Sequence, residues 1–217
     1  MNLVELFSGS GNVSSSFRSY GFETFEIDNR KRSGVCMPDL KLNILDLKRR
    51  MIPFDKIDVV WCGLPCTAYS HASGNHYRDA DNNLNHLANS YIKLLKFSLN
   101  FIEENHPLLY FIENPTGRLR YQKLMIDFLA RTSGMIKYCT LGSYGFDTTK
   151  PTDIFTNATQ LQLRTPLKFG RGYKAPGIFS NLSLIQRQQT PQDLCNDIAK
   201  QSTLMINNIS LHPNEIL

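Results

Sequence analysis

The sequence predicts an α/β domain built on a mixed, mostly parallel sheet with helices on both faces. Three observations carry that prediction. Apolar runs of strand length recur between longer stretches of helical periodicity. Two of the runs, Ile57-Asp58-Val59-Val60-Trp61 and Leu108-Leu109-Tyr110-Phe111-Ile112, are almost continuously apolar, as strands covered on both sides are. At 217 residues and 41% hydrophobic content, the chain suits one domain with a substantial core and has no room for a second large one.

Strands are expected near residues 2–6, 22–27, 41–44, 57–62, 108–112, 135–141 and 153–157. Helices fit 13–20, 84–105, 118–132 and 191–205. In the 84–105 segment Leu84, Leu87, Tyr91, Leu94, Leu95 and Leu99 recur at spacings of three and four, one face of a helix. Residues 71–83 form a long polar loop that could close over a substrate. Its histidines His71 and His76, and His86 beyond it, have no defined partner and read as solvated or backbone-contacting.

No apolar run approaches the roughly 20 residues of a membrane span, and residues 1–6 carry no leader pattern. Five scattered cysteines, 36, 62, 66, 139 and 195, argue against a disulfide framework and for reduced thiols. Cys62 and Cys66 lack a second Cys/His pair at zinc-site spacing, so no metal is expected. A cytoplasmic protein is the expectation. The net charge is +5, with basic residues clustered at Arg30-Lys31-Arg32, Lys48-Arg49-Arg50, 118–123 and 164–174, where Phe169 and Tyr173 are interleaved. Such clusters permit polyanion binding, and equally suit solvated faces.

The chemistry concentrates at strand ends. Pro65-Cys66 follows the 57–61 run and places a thiol at a strand's carboxyl end, where open α/β sheets bind their ligands. Glu113-Asn114-Pro115 sits at the corresponding end of the 108–112 run. A nucleophile and a carboxylate thus reach one crevice. At the first strand end, Phe7-Ser8-Gly9-Ser10-Gly11-Asn12 makes a strand-to-helix turn whose glycines allow close ligand approach to free N–H groups. Glu26-Ile27-Asp28 ends the second strand with an acid suited to ribose hydroxyls. On these residues alone the glycines also suit a plain tight turn, and the acid a cap on the next loop.

Taken in order, these pieces resemble the cytosine-C5 methyltransferase family over roughly residues 3–157. Phe7-Ser8-Gly9-Ser10-Gly11 is similar to its Phe-x-Gly-x-Gly, Pro65-Cys66-Thr67-Ala68-Tyr69-Ser70 to its Pro-Cys-x-x-x-Ser, and Glu113-Asn114-Pro115 to its Glu-Asn-Val. Tyr144-Gly145 and Lys150-Pro151-Thr152 stand where the family has Tyr-Gly and a Gln-x-Arg-x-Arg run. The resemblance implies a Rossmann-like fold, S-adenosylmethionine as methyl donor, and transfer to carbon 5 of a cytosine flipped out of double-stranded DNA. It implies Cys66 as nucleophile, Glu113 at ring nitrogen 3, and Lys150 in place of the arginine at the cytosine carbonyl. The cofactor would meet Phe7, Ser8, Gly9, Gly11, Asn12, Glu26, Ile27, Asn43 and Pro65. Substrate would meet Ser70, Asn114, Pro115, Thr152, Arg118 and Arg120.

The chain departs from the family after Asn157, where sixty residues replace a separate target-recognition domain and a closing helix. One methyltransferase domain over 1–217 is expected, with 158–189 as a reduced substrate-contacting segment and 190–205 as the closing helix, as in virus-encoded forms. Arg164, Lys168, Arg171, Lys174 and Arg187 are its candidates for phosphate contacts. Short sequence specificity, or a specificity partner, would follow, in a monomer or weak oligomer serving restriction protection or further modification. Leu64 before Pro65-Cys66 favours DNA over RNA, whose enzymes usually carry Pro-Pro-Cys. The competing readings are an RNA enzyme, a free-nucleotide enzyme and a non-catalytic binding module.

Overall fold

The computed structural model describes residues 1–29, 37–81, 83–146, 149–165 and 189–211. Seven strands form one sheet: β1 (Asn2–Leu6), β2 (Glu23–Asp28), β3 (Leu40–Lys41), β4 (Val59–Gly63), β5 (Leu109–Pro115), β6 (Met135–Thr140) and β7 (Pro151–Thr156). Their order is β3-β2-β1-β4-β5-β7-β6. The first five are parallel, whereas β7 runs antiparallel to both β5 and β6. Among the described residues there are four α-helices: α1 (Asn12–Ser19), α2 (Asn89–Asn105), α3 (Lys123–Arg131) and α4 (Gln192–Leu211).

Alternation along the strands divides the core between the two faces. Val4, Val60, Tyr110 and Ile112 pack with Leu95, Leu99 and Ile102 of α2 and Phe128 of α3. Leu3, Val59, Trp61 and Phe111 pack with Val13 and Phe17 of α1 and Leu194 and Ile198 of α4. Side chains tie α4 to α1: Gln192 Nε2 donates to Ser16 Oγ at 2.5 Å, and Ser16 Oγ donates to Asn196 Oδ1 at 2.7 Å. Between β1 and β4 the chain reverses its direction of travel across the sheet, which opens a crevice beyond the strands' carboxyl ends.

Four expected elements differ from those observed. The 41–44 strand shrinks to Leu40–Lys41, because Asn43 Oδ1 takes the Leu45 N–H at 3.2 Å and starts a 3-10 turn. The helix expected from 84 begins at Asn89; Asn85 accepts from Leu87 N and donates to the His76 and Arg78 carbonyls, competing with helix there. The 118–132 helix divides into a 3-10 turn, Arg118–Tyr121, and α3, with Gln122 extended between them. Helix α4 runs beyond the expected end at 205, to Leu211. The Arg30-Lys31-Arg32 cluster, Cys36, Lys168, Phe169, Arg171, Tyr173, Lys174 and Arg187 lie outside the described residues.

Candidate active site

At the cofactor end of the crevice, β1 leads into a turn in which Phe7, Gly9 and Gly11 have φ of 59°, 57° and 74°. Ser8 N donates to the Ile27 carbonyl at 3.2 Å and Gly9 N to Asp28 Oδ2 at 3.0 Å, so the ends of β1 and β2 are stitched together. Gly11 immediately precedes α1, and a Cβ there would stand 3.1 Å from Glu26 Oε2. Only glycine suits both the left-handed backbone and that approach. Glu26 is 3% exposed, and its Oε1 receives Arg18 Nη2 at 2.5 Å. Burial raises its carboxyl pKa, while the Arg18 hydrogen bond and charge oppose the rise.

Other expected cofactor residues have firm local duties. The Asn12 side chain donates to the Thr190 carbonyl at 2.9 Å, joining the turn to the start of α4. Ile27 is fully buried, and Asn43 is exposed at the exit of β3. Gly63, at the end of β4, lies where a Cβ would be 3.1 Å from the Phe7 carbonyl, bringing the Pro65-Cys66 turn beside the cofactor turn. The structure also reveals Glu5, in register with Glu26 and 2% exposed. Ser14 N and Oγ both donate to its Oε2, at 2.9 and 2.5 Å, yet burial pushes its pKa up to about 8. A charged residue amid Leu3, Val4 and Leu6 was the available sign of it.

At the other end, Leu64 is buried while Pro65 and Cys66 are partly exposed. The Cys66 carbonyl accepts from Tyr69 N at 2.9 Å and Ser70 N at 2.8 Å, closing a tight turn around the thiol's residue. The turn is held from β5. Asn114 Nδ2 donates to the Leu64 carbonyl at 2.9 Å and Arg118 N to the Tyr69 carbonyl at 2.8 Å. A Cβ on Gly117 would fall 2.6 Å from that same Tyr69 oxygen, so this approach excludes any side chain. Cys62, Cys139 and Cys195 are buried; burial pushes the first two thiols up to about 12 and the third well above its ordinary value. Cys66 alone of the four described cysteines has solvent access.

Glu113 lies opposite Gly63 in β4 and Ile154 in β7. Part of its surface reaches solvent, but its enclosed carboxyl is raised in pKa by burial, with Lys150 opposing and Asp153 reinforcing the rise. Lys150 has φ of 23°, unusual for a residue with a side chain, and its carbonyl accepts from Thr152 Oγ1 at 3.1 Å. Thr152 is fully buried opposite Pro115, and Asn114 is fully buried with Oδ1 lacking a hydrogen-bond partner.

The expected substrate arginines are both engaged within the protein. Arg120 forms a forked pair with Asp153, Nε to Oδ2 at 3.0 Å and Nη2 to Oδ1 at 2.6 Å, and Thr116 Oγ1 adds a bond of 2.7 Å. Asp153 is 1% exposed, so this pair is structural, and its signal was an acid inside an apolar strand. Arg118 donates to the Gly74 carbonyl at 2.7 Å and approaches Asn75 Oδ1 at 3.4 Å, latching the polar loop. Ser70 Oγ accepts from Ala72 N at 3.1 Å. Arg164 stacks 4.7 Å over Tyr144 and pairs with Asp193 and Asp197, tying the chain after β7 to α4. Among the described residues no three His, Cys, Asp or Glu side chains converge as metal ligands, and no helix is long and apolar enough to cross a membrane.

Solved structures share this fold. A putative DNA modification methyltransferase encoded within an Escherichia coli prophage is 16% identical, with a TM-score of 0.50 over 75% of this chain and 49% of that one. The Entamoeba histolytica methyltransferase EhMeth is also 16% identical, with a TM-score of 0.50 over 78% and 57% of the respective chains. At this identity the likeness concerns the fold, and the chain spans about half the length of these structures. No curated protein matches it. The family described as C-5 cytosine-specific DNA methylase matches residues 1–123, more than half of the 217, including the glycine turn, Pro65-Cys66 and Glu113. By that match, and with those residues gathered at one crevice, the chain belongs to the C-5 cytosine-specific DNA methylase family.

Proposed function

We propose that this chain is an S-adenosylmethionine-dependent cytosine-C5 methyltransferase acting on double-stranded DNA. The observation that carries the reading is the pairing of one solvent-accessible thiol, Cys66, with a carboxyl of raised pKa, Glu113, at the carboxyl ends of adjacent strands. Carbon 5 of cytosine becomes nucleophilic only after another group adds to carbon 6. A Cys66 thiolate makes that addition, forming a sulfur–carbon bond as electron density moves through the ring. Glu113 gives its proton to ring nitrogen 3 and neutralises the developing charge, a role its raised pKa supports. Lys150 supplies a positive charge near the same carboxyl. Methyl transfer and loss of the carbon-5 proton let the sulfur–carbon bond break and restore the free thiol. A base inside a duplex exposes neither carbon to such attack, so the cytosine must be extruded from the stack.

The cofactor end fits its ligand. The space beside Gly11 that a Cβ would fill, and the N–H groups at the start of α1, suit close approach of a nucleoside. Glu26 would supply an acceptor for ribose hydroxyls, and Phe7, Ser8, Gly9, Asn12, Asn43 and Pro65 would complete the same end, while Ile27, fully buried, could offer only its backbone. When bound, S-adenosylmethionine supplies an electrophilic methyl group.

Residues 158–189 would be the reduced DNA-contacting segment and α4 the closing helix of one methyltransferase domain, acting as a monomer or weak oligomer. Free cysteines support a cytoplasmic setting. The test is incubation with S-adenosylmethionine and a duplex containing 5-fluorocytosine, followed by intact mass measurement. A covalent adduct that Cys66→Ala abolishes is expected. An adduct that survives in Cys66→Ala, or forms with transfer RNA and not with duplex DNA, overturns the nucleophile or the substrate.

A further inference from the structure

The turn after β5 commits three of its four side chains. Leu119 is 1% exposed in the core, Arg118 latches Gly74 and Asn75, and Arg120 is held by Asp153. The fourth, Tyr121, is 70% exposed, the most exposed Phe, Tyr or Trp among the described residues. A short ordered turn that displays the ring presents a flat apolar surface with a polar tip to solvent. The ring is not on a loose tether. Its hydroxyl neighbours the Arg120 guanidinium, which the buried carboxylate of Asp153 fixes. In a 3-10 turn residues three apart stand over one another, so Arg118 and Tyr121 share one face.

The turn that carries that face is joined to the candidate active site through two of its residues. Arg118 reaches into the loop that follows Cys66, and Arg120 reaches Asp153, which pairs with Asn114 next to Glu113. An exposed aromatic ring beside a guanidinium is the combination that stacks a nucleobase and steadies its phosphate. Resting on the reading that the substrate is a nucleic acid, we propose that Tyr121 is a base-stacking residue that holds an unpaired nucleobase of the substrate beside the reactive cytosine. Extruding a cytosine leaves its neighbour or its orphaned partner without a stacking surface, and the Tyr121 ring replaces the lost one.

The experiment combines kinetics and cross-linking on the full chain. Base–aromatic stacking is worth about 1–3 kcal/mol, so Tyr121→Ala should raise the KM for duplex DNA roughly 5- to 150-fold. It should leave kcat and the KM for S-adenosylmethionine within about twofold; Tyr121→Phe and Tyr121→Trp should retain the wild-type KM. An exposed side chain makes misfolding of these variants simple to exclude by thermal melting. Irradiation of the wild-type protein on 5-iodouracil-substituted duplexes should yield a cross-linked peptide containing Tyr121. Methyl transfer with a normal Tyr121→Ala KM and cross-links elsewhere overturns the stacking role alone, as it would if this face served a protein partner. Binding and cross-linking at Tyr121 without methyl transfer overturns the proposed activity alone. No binding to nucleic acid overturns both.

Discussion

Glu26 and Glu113 occupy equivalent positions at the two ends of the crevice, each at the carboxyl end of a parallel strand, and burial raises the pKa of both. Their neighbours differ. Glu26 receives Arg18 directly at 2.5 Å, a hydrogen bond and a charge that favour the ionised form. Glu113 meets its cation, Lys150, as charge alone, and Asp153 on the neighbouring strand pushes the other way. The arginine bond suits Glu26 to accepting from hydroxyls, whereas no such bond opposes the rise at Glu113, which suits it to carrying a proton to a ring nitrogen in the proposed reaction. An acid pushes each carboxyl up, Asp39 on Glu26 and Asp153 on Glu113; what separates the two is the arginine that the adjoining helix hydrogen-bonds to Glu26.

Replacing Glu113 tests that contrast most severely. Glu113→Gln keeps the shape and removes the transferable proton, and should lower kcat by about 10²–10⁴-fold while leaving cofactor affinity unchanged in calorimetric titration with S-adenosylhomocysteine. Equal loss of cofactor affinity would mean that the two ends are not separate. Glu26→Gln should do the reverse, weakening the same titration by about 5- to 30-fold, as expected when a charge-assisted bond becomes a neutral one. Arg18→Met removes the bond and charge that oppose the rise at Glu26, so its pKa climbs further and cofactor affinity should fall more steeply as pH is lowered than in the wild type.

Glu5 gives the smallest effect and the sharpest sign. Its folded pKa of about 8 lies above the ordinary 4.5, so the folded state holds the proton more tightly than the unfolded chain. The stability it contributes is complete below about pH 4.5 and is lost as pH rises through about 8. Urea unfolding at pH 6 and 9 should show a fall of about 1–3 kcal/mol, reduced in Glu5→Gln, which cannot ionise. A stability rising with pH over this interval would contradict a protonated Glu5.

The strand ends that carry Cys66, Glu113 and Glu26 were readable because buried parallel strands are continuous apolar runs, and their ends are marked by the first polar or glycine residues. The arginines were not readable in the same way. Arg118, Arg120 and Arg164 look alike in sequence as basic residues suited to a polyanion, yet Arg120 and Arg164 find carboxylates, Asp153, Asp193 and Asp197, that are 29 to 33 positions away. Which cation meets which acid depends on strand order, and β7 slips between β5 and β6 to bring Asp153 beside Asn114.

Local periodicity and short-range chemistry thus sufficed to determine the α/β class, the glycine turn and the placement of Pro65-Cys66 and Glu113 at strand ends. Such features depend on residues a few positions apart, where backbone geometry alone decides who meets whom. Tertiary structure decided the rest: the split at Gln122, the burial of Glu5, the commitment of Arg120 to Asp153 and the exposure of Tyr121. Those outcomes depend on desolvation and pairing across the sheet, energies that exist only once distant segments have packed.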